Sequence, residues 1–178
     1  MCFVLLSAPA GLIPSPVKVH CPNKAFPSKA NLEVPQPVSL AIAQAANETG
    51  WGTSRFALDG NALFGQWTYN GEGIRPAGAD SNTKHKVMKF KVLQASVRAY
   101  FGNLNTHSSY REFRKFRATA RGNNEKLNSL ILADYLAAYA ATGTKYPKIL
   151  KQIIKQNSLT EFDDVHIFTT NNKLRSLI

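Results

Sequence analysis

The sequence predicts an α+β fold that is mainly α-helical and carries one small β-hairpin lobe. Apolar residues recur at helical spacing in several separate stretches, whereas strand-like alternation is confined to residues 66–92. The composition is a third observation, because 44% hydrophobic and 19% charged residues in a chain of 178 are typical of one globular domain. No apolar run approaches the roughly 20 residues that are needed to span a bilayer.

The chain is predicted to begin with a Pro-rich arm, residues 1–33, followed by one domain over residues 34–178. Residues 2–6 are apolar, but they are too short for a signal-peptide core and no basic residue precedes them. Cys2 and Cys21 would pair only in an oxidising compartment, and two cysteines do not establish a disulfide framework. The arm therefore indicates neither a fold nor a destination by itself.

The first helix is predicted over residues 37–49, with prolines at its start and Gly50 at its end. Its predicted apolar side consists of Val38, Ile42, Ala45 and Ala46. Glu48 lies in the last turn, where the negative end of the helix dipole and an apolar environment both raise a carboxyl pKa. A carboxylic acid that stays protonated near neutral pH is the group that cleavage of a glycosidic bond requires. On position alone Glu48 would be an ordinary solvated glutamate, and its neighbours favour the catalytic interpretation.

The β-hairpin lobe is predicted over residues 66–92. Gly71, Gly73, Pro76 and Gly78 supply turns before the alternating residues 86–92. In that strand the alternation points Val87, Lys89 and Lys91 to one side, with Met88, Phe90 and Val92 on the other.

Helical periodicity continues after the lobe to the end of the chain. The apolar positions of four further helices are Leu93, Val97, Phe101 and Leu104; Tyr110, Phe113 and Phe116; Leu127, Leu130, Ile131, Leu132 and Tyr135; and Ile149, Leu150, Ile153 and Ile154. Arg114, Arg117 and Arg121 are expected on the outer face of the second of these. Gly143 ends one helix and Pro147 can occupy the first turn of the next, so Tyr146 is predicted at a helix start.

A family resemblance rests on the stretch PVSLAIAQAANETGWGTSRFALDGNALFGQW, which continues through HKVMKFKVLQASVRAYFGNLNTHSSYREFR to AATGTKYPKILKQIIKQNSLTEFDDV. This order of motifs over residues 34–165 resembles the Bax-type branch of bacterial endo-β-N-acetylglucosaminidases, which are FlgJ-related peptidoglycan hydrolases. The resemblance implies a lysozyme-like domain whose lobe overhangs a substrate groove, and cleavage of the β-1,4 bond between GlcNAc and MurNAc. It also implies that Glu48 is the general acid and that Tyr146 is a second active-site residue.

The second half of the mechanism is left open by the sequence. Glycosidases usually use two carboxylates, at about 5 Å for retention and roughly 6.5–9.5 Å for inversion. The lobe offers Glu72 and Asp80 as candidates. The alternative is substrate assistance, in which the 2-acetamido oxygen attacks the anomeric carbon. Tyr146 would then orient that group or stabilise the developing charge.

Aromatic and amide side chains near the motif are candidates for substrate binding, because sugar C–H faces suit aromatic surfaces. The candidates are Trp51, Phe64, Gln66, Trp67, Tyr100 and Asn103. Three of them are also candidates for core packing. For Phe64 core packing is the better interpretation, and for Trp67 the two interpretations are equal. Tyr100 lies either in the core or on the floor of the groove. No Cys/His spacing suggests a structural metal, and no cofactor is expected.

The formal net charge of +11 is concentrated between residues 83 and 126. The basic residues there are Lys84, Lys86, Lys89, Lys91, Arg98, Arg111, Arg114, Lys115, Arg117, Arg121 and Lys126, against Glu112 and Glu125. Such a field attracts polyanions, but no nucleic-acid recognition motif accompanies it. We therefore expect peptidoglycan glycan strands as the partner, a monomer, and a periplasmic, cell-envelope or extracellular location. The alternatives are a lytic transglycosylase on the same fold and a non-catalytic wall-binding module.

Overall fold

The computed structural model describes residues 36–69, 72–78 and 85–165, and within these ranges the predicted mainly helical α+β fold is confirmed. The α-helices are α1 (Val38–Thr49), α2 (Arg55–Gly60), α3 (Leu93–Thr106), α4 (Arg111–Gly122), α5 (Ser129–Ala133) and α6 (Lys145–Gln156). Shorter 3₁₀ segments are Ser108–Tyr110, Asp134–Tyr139 and Leu159–Asp164. The strands are β1 (Trp67–Thr68), β2 (Gly73–Ile74) and β3 (Lys86–Met88). The N-terminal arm with both cysteines lies outside the described residues.

Helix α1 begins and ends where the sequence predicts. Pro37 occupies its N-cap, and Gly50 ends it in the left-handed conformation at φ +56°. A residue far away in the sequence stabilises the start of α1: the Asp163 carboxylate accepts hydrogen bonds from the Ser39 amide and hydroxyl, both at 2.8 Å. An acidic group at a helix N-terminus satisfies free N–H groups and complements the dipole.

The buried face of α1 matches the predicted apolar side only in part, since Ala46 is buried as predicted. Val38 is exposed, whereas Leu40, Ala43 and Gln44 are buried. The reason is tertiary: α1 packs against α6 and the Leu159–Asp164 segment, and these neighbours decide which side is covered. A polar residue, Gln44, is thereby placed inside the protein.

The main core lies among the helices and is rich in tyrosine. Its principal side chains are Leu40, Phe64, Tyr100, Leu104, Tyr110, Phe113, Leu132, Leu136, Tyr139, Tyr146, Leu150 and Ile154. Several of these rings pack directly on one another, as in the parallel stack of Tyr139 on Tyr146 at 5.5 Å between ring centroids.

Arg117 is a correction to the predicted outer face of α4. Its side chain is only 2% exposed, its guanidinium lies 4.8 Å from the Phe113 ring centroid, and it donates to the Asn105 side-chain oxygen. Residues four apart share a helix face, so Arg117 follows the buried Phe113 inward. The positive charge counted in this segment is therefore only partly on the surface.

The lobe contains three short strands rather than one hairpin. They form an antiparallel sheet in the order β1-β3-β2, in which Trp67 pairs with Val87 and Gly73 with Met88. The predicted alternation is wrong, because Val87 and Phe90 are both buried in a small second cluster. The strand ends at Met88, and the Phe90 amide then donates to the Gly60 carbonyl at 2.8 Å.

Candidate active site

Helix α1 ends in a hydrogen-bonded turn that carries the exposed Trp51, three residues after Glu48. Gly50, Trp51 and Gly52 are all left-handed, at φ +56°, +59° and +80°. The Thr49 hydroxyl donates to the Ala45 carbonyl at 2.6 Å and accepts from the Gly52 amide at 2.8 Å. These bonds explain why the sequence ETGWGTS turns sharply after the helix.

The two oxygens of the Glu48 carboxyl group have different environments. Oε1 accepts hydrogen bonds from the Tyr146 hydroxyl at 2.9 Å and from the Asn47 amide at 3.3 Å. Oε2 is buried and has no hydrogen-bond partner among the described residues. One oxygen is thus committed as an acceptor, and the other is left to carry a proton.

Burial raises the pKa of Glu48 from its ordinary value of 4.5 to about 8. The hydrogen bonds from Tyr146 and Asn47 act in the opposite direction, because they stabilise the carboxylate. The raised pKa agrees with the direction expected from the sequence, although desolvation is its main cause. At neutral pH Glu48 is mostly a neutral acid, which is the state of a proton donor.

Tyr146 is brought directly to Glu48. It is the second residue of α6, immediately before Pro147, and its side chain is 0% exposed. Its hydroxyl accepts from the Gln44 amide at 3.2 Å and donates to Glu48. A hydroxyl held in this way has no free hydrogen for a substrate acetamido group. The geometry therefore favours an action of Tyr146 on Glu48 over the predicted direct action on the sugar.

Gln44 is a site residue that the sequence interpretation missed. It lies one helical turn before Glu48, is 0% exposed, and contacts the hydroxyls of both Tyr100 and Tyr146. The signal was available in the spacing, because residues four apart share a helix face and a buried amide needs partners.

Two predicted sugar-contact residues, Phe64 and Tyr100, lie in the core. Their rings stack in parallel at 3.8 Å, with side chains 3% and 0% exposed. Side chains without accessible surface cannot stack on a sugar, so this prediction is corrected and both are assigned to packing behind the site. Trp51 is different, because it is 58% exposed and lies three residues after Glu48 in the sequence. Asn103 is half-buried and forms a hydrogen bond with Tyr110.

Gln66 and Trp67 are also buried rather than open to a sugar. The Trp67 ring is stacked on His85 at 3.5 Å between centroids, so that histidine occupies a face on which a sugar would stack. Gln66 is buried at the start of the lobe, and its carbonyl accepts from the Met88 amide at 2.7 Å. Both residues hold the lobe together in this structure.

Of the two candidate second carboxylates, only Glu72 is among the described residues. Glu72 is exposed in the lobe just before β2, and Asp80 lies outside the described residues. Within the part of the chain that the structure describes, the groups that shift the pKa of Glu48 are Tyr146 and Asn47 together with burial, and no other carboxylate is among them. Within the described ranges, no group of three or more His, Cys, Asp or Glu side chains could hold a metal.

Comparison with known proteins identifies the family of the chain. The family model described as mannosyl-glycoprotein endo-beta-N-acetylglucosaminidase, or glucosaminidase, matches residues 25–159. The chain belongs to this glucosaminidase family. It is similar to Protein bax of Escherichia coli (strain K12), with 35% identity over 121 residues. That alignment covers 68% of this chain and 43% of the relative, so the chain matches less than half of the relative's length. No solved structure matches significantly.

The family membership confirms the resemblance that the motifs indicated. In the described part of this glucosaminidase-family chain, no helix is long and apolar enough to cross a membrane.

Proposed function

We propose that the protein is a peptidoglycan hydrolase that cleaves the β-1,4 bond between GlcNAc and MurNAc, with Glu48 as general acid. The observation that carries the proposal is the buried Oε2 atom of Glu48, which has no hydrogen-bond partner in the described ranges and belongs to a carboxyl group of raised pKa. Membership of the glucosaminidase family supports the choice of a GlcNAc-containing substrate. The substrate implies action in the periplasm, cell envelope or outside the cell.

In the first step, Glu48 transfers the Oε2 proton to the glycosidic oxygen while the bond from that oxygen to the anomeric carbon breaks. The sugar carbon gains positive charge and Glu48 becomes a carboxylate. The Tyr146 hydroxyl already points at Oε1 and stabilises the carboxylate as it forms. We therefore assign Tyr146 as a positioning residue rather than a group that touches the sugar.

The second step needs a nucleophile for the anomeric carbon. We favour the acetamido oxygen of the substrate over Glu72, because no second carboxylate among the described residues affects the pKa of Glu48. Asp80, the other carboxylate candidate, lies outside the described residues. The bond from the acetamido oxygen to the anomeric carbon closes a ring, which is a cyclic intermediate. A water molecule then attacks the anomeric carbon and opens this ring, and the Glu48 carboxylate accepts a proton from that water. The overall reaction consumes one water and leaves a new reducing end.

Trp51 is proposed as the surface on which a sugar ring stacks. A bulky residue in the left-handed region costs roughly 1–2 kcal/mol, and Trp51 is also largely exposed. Strain and exposure together are unfavourable for folding alone, and they are explained if the ring serves binding. The flanking glycines allow the turn that carries it.

The test is digestion of purified cell walls followed by mass spectrometry of the soluble fragments. New reducing-end GlcNAc is the expected product. Reducing-end MurNAc would mean that the other glycosidic bond is cut. A 1,6-anhydro-MurNAc product would identify a lytic transglycosylase instead. Wall binding without any soluble product would replace the enzyme by a binding module.

A non-catalytic wall-binding module remains the second candidate because of the net charge of +11. Several basic side chains are already engaged: Lys115 pairs with Glu112 at 2.9 Å, and Lys151 with Asp134 at 2.6 Å. Exposed pairs of this kind are weak, so an anionic polymer can compete for their Lys side chains. The excess of Lys and Arg over Asp and Glu also attracts anionic polymers. This explanation leaves the raised pKa of Glu48 without a role, which is why we place it second.

A further inference from the structure

A continuous chain of hydrogen bonds crosses the core and ends at Glu48. The Gln36 amide nitrogen donates to the Tyr100 hydroxyl, which donates to Gln44 Oε1 at 2.6 Å. Gln44 Nε2 donates to the Tyr146 hydroxyl at 3.2 Å, and Tyr146 donates to Glu48 Oε1 at 2.9 Å. The chain joins α1 to α3 and α6 and returns to α1.

The direction of the chain follows from the number of hydrogens. A tyrosine hydroxyl has one hydrogen, whereas a glutamine amide has two on nitrogen and none on oxygen. Because Gln36 donates to Tyr100, the hydrogen of Tyr100 is directed to Gln44 Oε1. The Gln44 nitrogen then faces Tyr146. The bond lengths of 2.6 Å and 3.2 Å also fit O–H···O and N–H···O bonds respectively.

The opposite orientation of the Gln44 amide would have a chemical consequence. Tyr146 would then donate to Gln44 and would need to accept a hydrogen from Glu48 Oε1. The proton of the acid would lie on the oxygen that faces the tyrosine, while Oε2 would have none. An acid in that state has no proton on the oxygen that the proposed function uses.

We propose that Gln44 is a positioning residue that keeps the acidic proton of Glu48 on Oε2. Gln44 does this by holding the Tyr146 hydroxyl as a donor to Oε1. The inference rests on the proposed function of Glu48 as a general acid, and it adds a residue and a direction to that function.

The side chains of this hydrogen-bond chain are buried, which protects its bonds from competition by water. Gln44, Tyr100 and Tyr146 have no exposed side-chain surface, and Gln36 is 6% exposed. Solvent therefore cannot replace a lost partner without rearrangement, and a buried polar group that loses its bond costs roughly 1–3 kcal/mol.

The electrostatic surroundings of Glu48 make the inference measurable. Among the described residues, the titratable groups of neighbouring elements that interact with Glu48 are all tyrosines, from α3 and α6 and from both intervening 3₁₀ segments: Tyr100, Tyr110, Tyr139 and Tyr146. Burial raises the pKa of each hydroxyl above its ordinary value of 10, so all are neutral when Glu48 titrates. A change in the pKa of Glu48 then reports hydrogen bonding rather than a changed charge.

The experiment replaces Gln44 by methionine, which has similar volume but no amide. In Gln44→Met the Tyr146 hydroxyl is a weaker donor and is free to accept, so the neutral acid is favoured and the pKa of Glu48 rises. We expect carboxyl ¹³C NMR titration to show that rise, with kcat about tenfold lower and KM unchanged. A structural role alone would lower the melting temperature and leave the pKa in place.

Tyr100→Phe is the second variant, because it removes one oxygen and keeps the core filled. Tyr100 does not hydrogen-bond to Glu48, yet its loss frees Gln44 Oε1 and should raise the pKa of Glu48 by a smaller amount. Tyr139→Phe is the matched control for this measurement. Its hydroxyl donates to the Phe64 carbonyl, outside the chain, so the pKa of Glu48 should stay unchanged.

An unchanged or lower pKa of Glu48 in both Gln44→Met and Tyr100→Phe would overturn the proposal. If Gln44→Met does not fold, Tyr100→Phe alone decides between the outcomes. The NMR titration needs no substrate, so a failure of the proposed role of Gln44 is distinguishable from a failure of the proposed function. Absence of glycan cleavage by the wild-type protein would instead remove the function and leave the titration result standing.

Discussion

The helical core and the β lobe differ in the burial and hydrogen bonding of their carboxylates. In the core, Glu48 is connected to Tyr146 and Gln44 by directed hydrogen bonds, and its pKa is about 8. In the lobe, Glu72 is exposed beside strands of two or three residues. The core can fix the position and protonation of an acid because many packed side chains surround it, whereas a short sheet with its own small cluster cannot.

The difference shows which part of the fold can hold an acid in a defined position and protonation state. An acid must be held protonated and aimed, so it belongs among residues that cannot move independently. The lobe is packed on the small Ala62, Val87 and Phe90 cluster, which surrounds its side chains less completely than the main core surrounds Glu48. Each prediction below changes one side of the comparison.

The largest effect is expected for Glu48→Gln, which removes the proton donor and keeps the shape. Wall lysis should fall by at least ~100-fold, the usual size of a general acid's contribution. Turbidity loss of purified walls measures it, with wall binding as the control, because binding should survive. Lysis at the wild-type rate would remove Glu48 from the mechanism.

The next effect compares the two regions directly. Tyr146→Phe removes the hydrogen bond to Glu48 Oε1 and should lower turnover by roughly 10- to 100-fold. Glu72→Gln, in the exposed lobe, should change turnover by less than about twofold if the acetamido group is the nucleophile. Rates of both purified variants on the same peptidoglycan decide the matter. An inactive Glu72→Gln beside an active Tyr146→Phe would reverse the assignment.

The pH dependence of stability should report the buried acid. The pKa of Glu48 is higher in the folded protein, about 8, than its ordinary value of 4.5, so the folded state binds more protons between these values. Its contribution to stability is present below pH 4.5 and is lost as pH rises toward 8. Glu48→Gln lacks this loss and should be more stable by roughly 2–3 kcal/mol near pH 7.

Thermal melting of wild type and Glu48→Gln measures this difference. The gain in melting temperature should be large at about pH 7.5 and should shrink toward roughly pH 5, where the acid is protonated in a larger share of unfolded chains. A gain of the same size at both values would mean that the pKa of Glu48 is not raised by folding.

The smallest effect is expected at Trp51, which is exposed in the turn that follows α1. Asparagine tolerates the left-handed backbone, so Trp51→Asn should leave stability unchanged or slightly higher. Loss of the stacking surface should weaken binding of a soluble chitooligosaccharide by about 1 kcal/mol, which is a factor of about five. Leu58→Asn, an exposed apolar residue on α2, is the control and should bind as the wild type does. Equal weakening in both variants would count against a specific sugar platform.

Much of the fold could be predicted from the sequence because its signals are local. Pro37 and Gly50 bound α1, and the spacing of apolar residues located α3, α4 and α6 within a few residues. The lobe was less predictable. Its alternation was interpreted as one long strand, but β3 contains only three residues and Phe90 turns inward with Val87.

The candidate site was only partly predictable. Glu48 and Tyr146 were identified through the resemblance to a family, while periodicity alone would have left each as an ordinary surface or packing residue. Phe64 and Tyr100 were candidates for both sugar contact and core packing, because an aromatic residue near a motif has the same sequence pattern whether it faces solvent or the core. Gln44 was missed because a glutamine in an amphipathic helix usually points to solvent.

The sequence by itself determined the helices, the turn after Glu48, and the placement of Gln44 and Glu48 on one helix face, since these depend on neighbours within a few positions. Tertiary structure decided the chemistry. Tyr146 is 98 positions from Glu48, and Gln44 is 56 positions from Tyr100. Only packing brings such distant residues together, removes water from Oε2 and gives the hydrogen-bond chain its direction, because desolvation depends on everything that surrounds an atom.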